Sequence, residues 1–321
     1  MPNISERLTL NAESSPQVIF GPVYSRRFGK SLGIDLSPSK KQCNFDCLYC
    51  ELDPAKTMDS YEDVISVGEI IIALQKALSE HKDIDVITIT ANGEPTLYPY
   101  LGELVDRIDE LKGKSETLIL SNGSTIADMT VQDALLKLDS VKLSLDCASD
   151  SCLKKLDRAH SGITVEEIKE GMLAFKKRYS GPLIIETLFV KTLNDKPEEI
   201  AALNDFFLEL KPARIDIGTI DRPPAYEVKP LCYEDLHAIA HRFDPSLPVY
   251  IASRKKVESK PEYYSEEEIL RTLSKRPLSP DDIKILFDTE SQKRLQVLLS
   301  EGKVGIRETN GVNFYVYEGI Y

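Results

Sequence analysis

The chain has 321 residues and a formal net charge of −12, with 42% hydrophobic and 29% charged residues. These values are ordinary for a globular protein with one barrel-sized domain and a smaller second one. The acidic balance argues against a broad nucleic-acid surface, because phosphates would be repelled everywhere except at a local basic patch.

The hydropathy pattern of the chain bears on its expected cellular location. Residues 1–15 contain no apolar run, and no stretch of about 18 apolar residues occurs anywhere in the sequence. We therefore expect a cytoplasmic protein without a signal peptide or a membrane span. Because the cytosol is reducing, clustered cysteines in such a protein indicate metal ligands or catalytic groups rather than disulfides. The six cysteines are Cys43, Cys47, Cys50, Cys147, Cys152 and Cys232.

Short β-rich runs alternate with amphipathic helices between residues 31 and 220. Ser66 and Glu69 form a capping-box pattern at the start of the first helix. The alternation predicts βαβ crossovers and a parallel sheet. No G-x-G-x-x-G follows the first strand, so a nucleotide-binding doubly wound sheet is less favoured, and a partial β/α barrel fits at least as well. The predicted strands are 31–37, 84–90, 116–121, 141–146, 182–190 and 213–220.

The alternation stops after residue 220. Residues 225–264 are predicted to be an irregular cover and linker that contains one helix and one short strand. Residues 265–321 follow another pattern, three helices and then two strands around Asn310-Gly311, which is a strong hairpin-turn signal. This order is the outline of a winged helix. The predicted domains are 1–224, a barrel with an N-terminal extension; 225–264, the cover and linker; and 265–321, a winged-helix-like domain.

The sharpest motif is C-x3-C-x2-C, formed by Cys43, Cys47 and Cys50 directly after the first predicted strand. Three thiolates close in sequence can hold three irons of a cubane cluster and leave the fourth iron open, which is the mark of a catalytic metal site. The motif follows the C-terminal end of a strand, where β/α barrels place their active sites. Zinc is the alternative, although a structural zinc site usually takes four ligands in paired spacings.

With Tyr49 just before its last cysteine, this motif resembles the signature of the radical S-adenosylmethionine (radical SAM) superfamily. The segments GPVYSRRFGKSLGIDLSP and TANGEPTLYP resemble a branch of Fe–S oxidoreductases related to the wyosine tRNA-modifying enzymes. The resemblance covers residues 17–224 and implies an α/β fold, a partial (β/α)6 TIM-like barrel. It also implies a [4Fe–4S] cluster on the three cysteines, with S-adenosyl-L-methionine (SAM) as the second cofactor.

The resemblance places SAM at the C-terminal ends of the strands. The run Asn92-Gly93-Glu94 is similar to the family's GGE motif, which binds the methionine amino group, with Asn92 in place of the first glycine. Polar residues also end the third and fourth strands, where they would offer hydrogen bonds to the ribose and the methionine carboxylate. Ordinary turn chemistry is the alternative. The candidate SAM-binding residues are Tyr49, Asn92, Gly93, Glu94, Ser121, Asn122, Ser144 and Asp146.

Two acidic residues lie inside predicted strands. Alternation along the strands directs Glu186 and Asp216 into the barrel, where a buried carboxylate needs a partner or a ligand. Arg222 is a candidate for that partner, and contact with the substrate is the alternative role for it. Free cysteines are often small buried hydrophobes, so we expect structural roles for those outside the motif. These are Cys147, Cys152 and Cys232.

The implied reaction is reductive cleavage of SAM. An electron from reduced flavodoxin or ferredoxin enters the cluster and passes to the sulfonium, which gives methionine and a 5′-deoxyadenosyl radical. That radical abstracts a hydrogen atom from a substrate, for which RNA and protein are the candidates. The cofactors carry the chemistry while the protein positions them and excludes water, so residues 221–264 are expected to cover the site.

Two alternatives stay open. A glycyl-radical activating enzyme shares the cluster motif and the small barrel but acts on a large protein partner. An Fe–S or zinc-binding regulator would use the winged helix, with Lys293 and Arg294 in its third helix, to bind DNA. Residues 265–321 carry 8 Lys and Arg against 10 Asp and Glu, however, and a DNA reader is expected to be basic. A protein-docking module or a lid is therefore favoured for this segment.

Overall fold

The computed structural model describes residues 18–25, 28–251, 261–309 and 311–318. Within them, eight strands form one sheet in the order in which they occur along the chain. The first pair is antiparallel, and each later neighbour is parallel. The strands are β1 (Ile19–Ser25), β2 (Gly29–Asp35), β3 (Val86–Thr90), β4 (Glu116–Ser121), β5 (Ser140–Ser144), β6 (Leu183–Phe189), β7 (Arg214–Thr219) and β8 (Val249–Ile251).

The strand order decides between a doubly wound sheet and a partial β/α barrel, the two architectures that the sequence allowed. A doubly wound sheet reverses its strand order at a switch point. Here β2 to β8 follow one another without reversal, which fits a partial β/α barrel. Seven strands are parallel rather than the six predicted, because β8 pairs with β7, Ile215 lying opposite Val249. The antiparallel β1 was not predicted either. Among the described residues no pairing joins β8 back to β1, so the sheet stays open.

Helices follow the parallel strands and pack their apolar faces on the sheet. Ser66 caps the first helix and Glu69 reaches back to it, which confirms the predicted capping box. Ile87 and Ile89 of β3 belong to the same buried core as Leu104 and Ile108 of the helix that follows β3. The helices are α1 (Val67–Glu80), α2 (Leu101–Leu111), α3 (Met129–Leu135), α4 (Asp150–Cys152), α5 (Val165–Arg178), α6 (Pro197–Leu210), α7 (Tyr233–Ala240), α8 (Glu266–Lys275), α9 (Pro280–Leu286) and α10 (Thr289–Ser300).

The C-terminal segment forms a smaller core of its own around Ile269, Phe287 and Leu295. After α8, α9 and α10, strands β9 (Val304–Thr309) and β10 (Val312–Tyr317) pair antiparallel. Asn310 of the predicted turn lies outside the described residues. What the structure establishes here is three helices and a two-stranded hairpin, so the winged-helix assignment stays a prediction.

Membrane insertion has no support in the helices that the structure describes. None of them combines the length and the apolar character needed to cross a bilayer.

Candidate functional site

The cysteine motif lies in the loop that follows β2, at the C-terminal edge of the parallel strands. Cys43, Cys47 and Cys50 are free and half-buried. The loop is fixed to the end of β3 by two backbone hydrogen bonds. The N–H of Gln42 donates to the Asn92 carbonyl (2.9 Å), and the N–H of Glu94 donates to the Gln42 carbonyl (3.0 Å). The three thiols therefore sit directly beside the candidate SAM motif.

Burial keeps these thiols protonated when no metal is bound. Burial and the nearby Glu94 carboxylate raise the pKa of Cys43 to about 12. Burial likewise raises the pKa of Cys47. Burial raises the pKa of Cys50 too, against the opposing charge of Lys41. Thiolates are the form that binds metal, so cluster assembly here must release protons.

The three thiols do not form a ready site for a single ion. Within the described part of the chain, no group of three or more His, Cys, Asp or Glu side chains is arranged to hold one. A cubane cluster spreads its ligands over a wider perimeter than one ion does. A set of three soft sulfur donors suits iron–sulfur chemistry.

Glu94 connects the ends of β3 and β4. Its buried carboxylate accepts hydrogen bonds from Ser121 Oγ (2.7 Å) and the Asn122 N–H (2.7 Å). Thr96 donates to the same carboxylate through its N–H (2.9 Å) and its hydroxyl (2.5 Å). Burial raises the pKa of Glu94, and these donors oppose the shift. The carboxylate and Ser121 are thus occupied in holding the strand ends together.

Asn92 differs from Glu94 in having an unused acceptor. Among the described residues, no donor reaches the buried Asn92 Oδ1. Its backbone N–H is held by Asp35 Oδ1 at 2.7 Å, so the residue is fixed while its side-chain oxygen is not satisfied. A buried acceptor without a partner carries a desolvation cost that a ligand donor would relieve. An ammonium group fits this requirement.

Asn122 links β4 to the cysteine loop. Its Nδ2 donates to Asn44 Oδ1 (2.8 Å) and lies 3.8 Å from Cys43 Sγ. Its Oδ1 accepts from the N–H (3.0 Å) and the hydroxyl of Ser124 (2.5 Å). The end of β4 and the first cysteine are therefore held in one polar network.

Four of the candidate SAM residues surround one small cavity. They are Tyr49, Asn122, Ser144 and Asp146, and the cavity measures about 50 Å³. The Tyr49 hydroxyl donates to Asp146, and the Leu188 N–H donates to Asp146 Oδ1 (2.7 Å). Burial raises the pKa of Asp146 to about 7. The other four, Asn92, Gly93, Glu94 and Ser121, lie around Gln42 on the neighbouring strand ends.

Asp46, a residue between the first two cysteines that the sequence reasoning passed over, fixes the loop from the other side. Lys41 (3.2 Å), Arg158 (3.3 Å) and the Tyr226 hydroxyl (2.5 Å) all meet its carboxylate. Burial opposes ionisation, but the hydrogen bonds from Tyr226 and Lys41 and the Lys41 charge lower the pKa of Asp46. Lys41 neighbours the motif in sequence, whereas Arg158 and Tyr226 come from distant segments.

Part of the predicted cover touches the cysteine loop. The Ala225 N–H donates to the Cys50 carbonyl (2.8 Å). Arg222 pairs with Glu51 (3.0 Å), the residue after the last cysteine. These contacts place the segment after β7 against the loop that carries the thiols.

The carboxylates of Glu186 and Asp216 do not pair with Arg222, the partner expected from the sequence. Lys142 of β5 contacts Glu186 and lies 3.6 Å from Asp216, while Arg214 lies 3.2 Å from Asp216. Arg222 pairs with Glu51 instead, so the prediction of Arg222 as their partner is wrong. Strand alternation was the signal that could have found both cations. Arg214 lies two residues before Asp216 on β7, and Lys142 lies two residues before Ser144 on β5.

The remaining cysteines differ from the expectation of buried free thiols. Cys147 and Cys152 are buried but form a disulfide across five residues. Cys232 is free and exposed, and its sulfur caps α7 by accepting from the Asp235 N–H at 3.4 Å. An N-cap position needs an acceptor for a backbone N–H at the helix start, and the Cys232 sulfur supplies one.

Comparisons with known proteins agree on one family. The family model for the radical SAM superfamily matches residues 39–203. The chain is 41% identical over 309 residues to a UPF0026 protein of Helicobacter pylori, which covers 95% of this chain and 99% of that protein. It is 31% identical over 310 residues to a UPF0026 protein of Methanocaldococcus jannaschii, which covers 93% and 95%.

Two solved structures resemble the fold. A radical SAM methyltransferase from Sphaerobacter thermophilus aligns with a TM-score of 0.55 and 15% identity over 70% of this chain and 67% of its own. SuiB of Streptococcus suis aligns with a TM-score of 0.53 and 19% identity over 69% of this chain and 49% of its own. At such identities the likeness concerns the fold alone.

Proposed function

The chain belongs to the radical SAM superfamily, and from this premise we propose that it cleaves SAM reductively to start radical chemistry on a substrate. Members of this family are enzymes whose cofactors are a [4Fe–4S] cluster and SAM. Cys43, Cys47 and Cys50 would hold the cluster, which would supply one electron, drawn from reduced flavodoxin or ferredoxin, for cleavage of SAM. That cleavage would give methionine and a 5′-deoxyadenosyl radical able to take a hydrogen atom from the substrate.

The observation that carries the proposal is the attachment of the cysteine loop to the Asn92-Gly93-Glu94 segment. Three free thiols and one orphan acceptor, Asn92 Oδ1, meet at the same edge of the sheet. We assign Cys43, Cys47 and Cys50 as the cluster ligands. The fourth iron then has no protein ligand and is available to SAM, which is how a catalytic site differs from a structural one.

The residues around the thiols are proposed either to contact SAM or to hold the strand ends in position. Asn92 Oδ1 would accept from the methionine ammonium, since it is buried and no described donor satisfies it. Glu94 and Ser121 would hold the strand ends in place, because their polar atoms are already bonded to each other and to Asn122. Tyr49, Asn122, Ser144 and Asp146 line a small cavity beside the thiols and would contact SAM from its edge, since the cavity itself has room only for water.

The segments outside the parallel strands are proposed to close the site. The segment after β7 meets the cysteine loop at Glu51 and Cys50, so it is placed to exclude water from reactive intermediates. We assign residues 1–224 to the barrel domain and 265–321 to a winged-helix-like module. Residues 225–264 contribute β8 to the barrel sheet and are otherwise assigned as cover and linker.

A protein substrate is favoured over RNA by the charge of the chain. The net charge is −12, and residues 265–321 add no net positive charge, with 8 basic residues against 10 acidic ones. RNA binding depends on neutralising phosphates with Lys and Arg, so an acidic module is poorly suited to it. The C-terminal module is better suited to docking a protein.

The metal content of the purified protein tests this assignment. The protein is reconstituted anaerobically with iron and sulfide, with zinc present in a parallel sample, and both metals are counted per chain. We expect about four irons and four sulfides for wild type, as in a [4Fe–4S] cluster, and loss of iron in Cys43→Ala. Cys232→Ala is the matched control, since its thiol is exposed and remote in sequence from the motif. Preferential zinc binding without a cluster would overturn the proposal.

A further inference from the structure

Asp35, the last residue of β2, is hydrogen-bonded to the candidate SAM motif at Asn92. Its Oδ1 accepts hydrogen bonds from the Asn92 N–H (2.7 Å) and from the Ser37 N–H (2.9 Å). The side chain is buried, with 1% of its area exposed. One carboxylate oxygen therefore orients both the start of the cysteine loop and the residue whose side chain carries the orphan acceptor.

The second oxygen of the same carboxylate faces the C-terminal module. Lys275, the last residue of α8, places its Nζ 2.6 Å from Asp35 Oδ2. The lysine side chain is only 9% exposed, and its Nζ also lies 3.4 Å from the Pro38 carbonyl. The ammonium group thus bridges two points on the chain, one on each side of Ser37.

The pair is buried, so each charge depends on the other. Removing one partner of a buried ion pair leaves the other charge uncompensated, which disturbs its surroundings more strongly than loss of an exposed pair. Within the described residues, Asp35 Oδ2 has no hydrogen-bond donor apart from this ionic contact. Without Lys275 the carboxylate must turn toward water or another donor, and its hold on the Asn92 N–H changes with it.

We propose that Lys275 is a positioning residue for SAM, acting through Asp35 on Asn92. The inference rests on the proposed function, because it takes Asn92 as part of the SAM site. It adds a role for the C-terminal module: α8 supplies a charge that fixes the SAM-binding strand end, so SAM affinity depends on this one contact of the module with Asp35.

A second contact between the same parts provides the control. Glu262, which precedes α8, pairs with Lys30 at 2.5 Å near the opposite end of β2. Lys30 also donates to the Lys82 carbonyl (3.2 Å). This pair helps to seat the C-terminal module on the barrel but does not touch the Asp35–Asn92 contact. Glu262→Gln therefore reports on seating alone, and Lys275→Met reports on seating plus positioning.

The experiment compares SAM binding by anaerobically reconstituted full-length proteins, using equilibrium dialysis with labelled SAM, and records iron content and melting temperature for each. For Lys275→Met we expect SAM affinity to fall by about tenfold or more with iron content unchanged, in the range by which a positioning contact modulates a distant site. Lys275→Arg retains the cation and should bind SAM more tightly than Lys275→Met does. Glu262→Gln should bind SAM as wild type does.

A charge-compensated variant covers the case in which Lys275→Met loses its cluster. Asp35→Asn combined with Lys275→Met removes the uncompensated charge and keeps an acceptor for the Asn92 N–H, so it should recover iron content and part of the SAM affinity. Equal SAM binding by wild type and Lys275→Met overturns the inference alone. Equal losses in Lys275→Met and Glu262→Gln also overturn it. A wild type with a full cluster and no SAM binding overturns the proposed function as well.

Discussion

Gln42 and Gly93 lie in backbone contact: a Cβ built on Gly93 would stand 1.9 Å from the Gln42 carbonyl oxygen. The two residues form an isolated parallel bridge between the cysteine loop and the end of β3. Gly93 also has a φ of +138°, a backbone conformation that residues with a Cβ rarely adopt. The thiols and the candidate SAM motif are therefore parts of one backbone unit that has no room for a side chain.

Gly93→Ala is expected to disrupt this unit. Both the steric conflict with Gln42 and the positive φ oppose the substitution. We expect a loss of about 3 kcal/mol or more in unfolding free energy, or failure to assemble the cluster. The measurement is urea unfolding together with iron content.

The matched control is Gly102→Ala in α2, where an added Cβ meets nothing within 4 Å. This change should be neutral or should stabilise by up to about 1 kcal/mol, as expected for Gly to Ala in a helix. If both variants behave alike, the close approach of Gln42 and Gly93 has no structural importance.

Glu94→Gln is expected to loosen the joined ends of β3 and β4. The carboxylate accepts from four donors, on Ser121, Asn122 and Thr96, and an amide would turn its own donor toward at least one of them. A buried mismatch of this kind costs about 1–3 kcal/mol. Thermal unfolding and SAM affinity should both fall. Glu110→Gln, at an exposed position of α2, is the control, and an effect no larger than in that variant would rule out the linking role of Glu94.

Lys142→Met is expected to destabilise the barrel interior. Lys142 is 8% exposed and contacts both Glu186 and Asp216, so its removal takes one cation from the buried Asp216 carboxylate while Arg214 stays beside it. The expected loss is about 1–3 kcal/mol in urea unfolding. Lys137→Met removes a comparable but exposed pair with Asp106 and should cost less than about 1 kcal/mol. Equal costs in the two variants would contradict the assignment of an interior charge network.

Asp146 should make stability depend on pH. Burial raises its pKa in the folded chain from the ordinary 3.8 to about 7, so between these values the folded form binds the proton more tightly than the unfolded form. Unfolding free energy must then fall as pH rises through this window. Asp146→Asn removes the titration. Between pH 5 and 8, wild-type cluster-free protein should lose about 3 kcal/mol relative to the variant in urea unfolding. Parallel pH profiles would show that Asp146 titrates normally.

The strands could be predicted closely from sequence where an apolar run ends at a turn. The predicted run 116–121 coincides with β4, and 84–90 contains β3. The cysteine motif could be located for a related reason, since its three members are adjacent in sequence and meet in one loop. Local signals of this kind need no knowledge of the rest of the chain.

Contacts between distant segments could not be predicted in the same way. Lys275 and Asp35 are 240 positions apart in the numbering, and nothing in either local pattern indicates the other. The antiparallel β1 has a Gly-Pro pair inside it, which hides its strand character. One partner of Asp216 could have been found on its own strand, because Arg214 and Asp216 share one face of β7 by alternation.

The most direct test of the central claim is formation of 5′-deoxyadenosine. Anaerobically reconstituted protein is mixed with dithionite and SAM, and the nucleoside is followed by chromatography for wild type, Cys47→Ala and Cys232→Ala. We expect 5′-deoxyadenosine from wild type and Cys232→Ala and none from Cys47→Ala. A wild type that carries four irons and binds SAM, yet forms no 5′-deoxyadenosine with any added RNA or protein, would contradict reductive SAM cleavage as the function of this site.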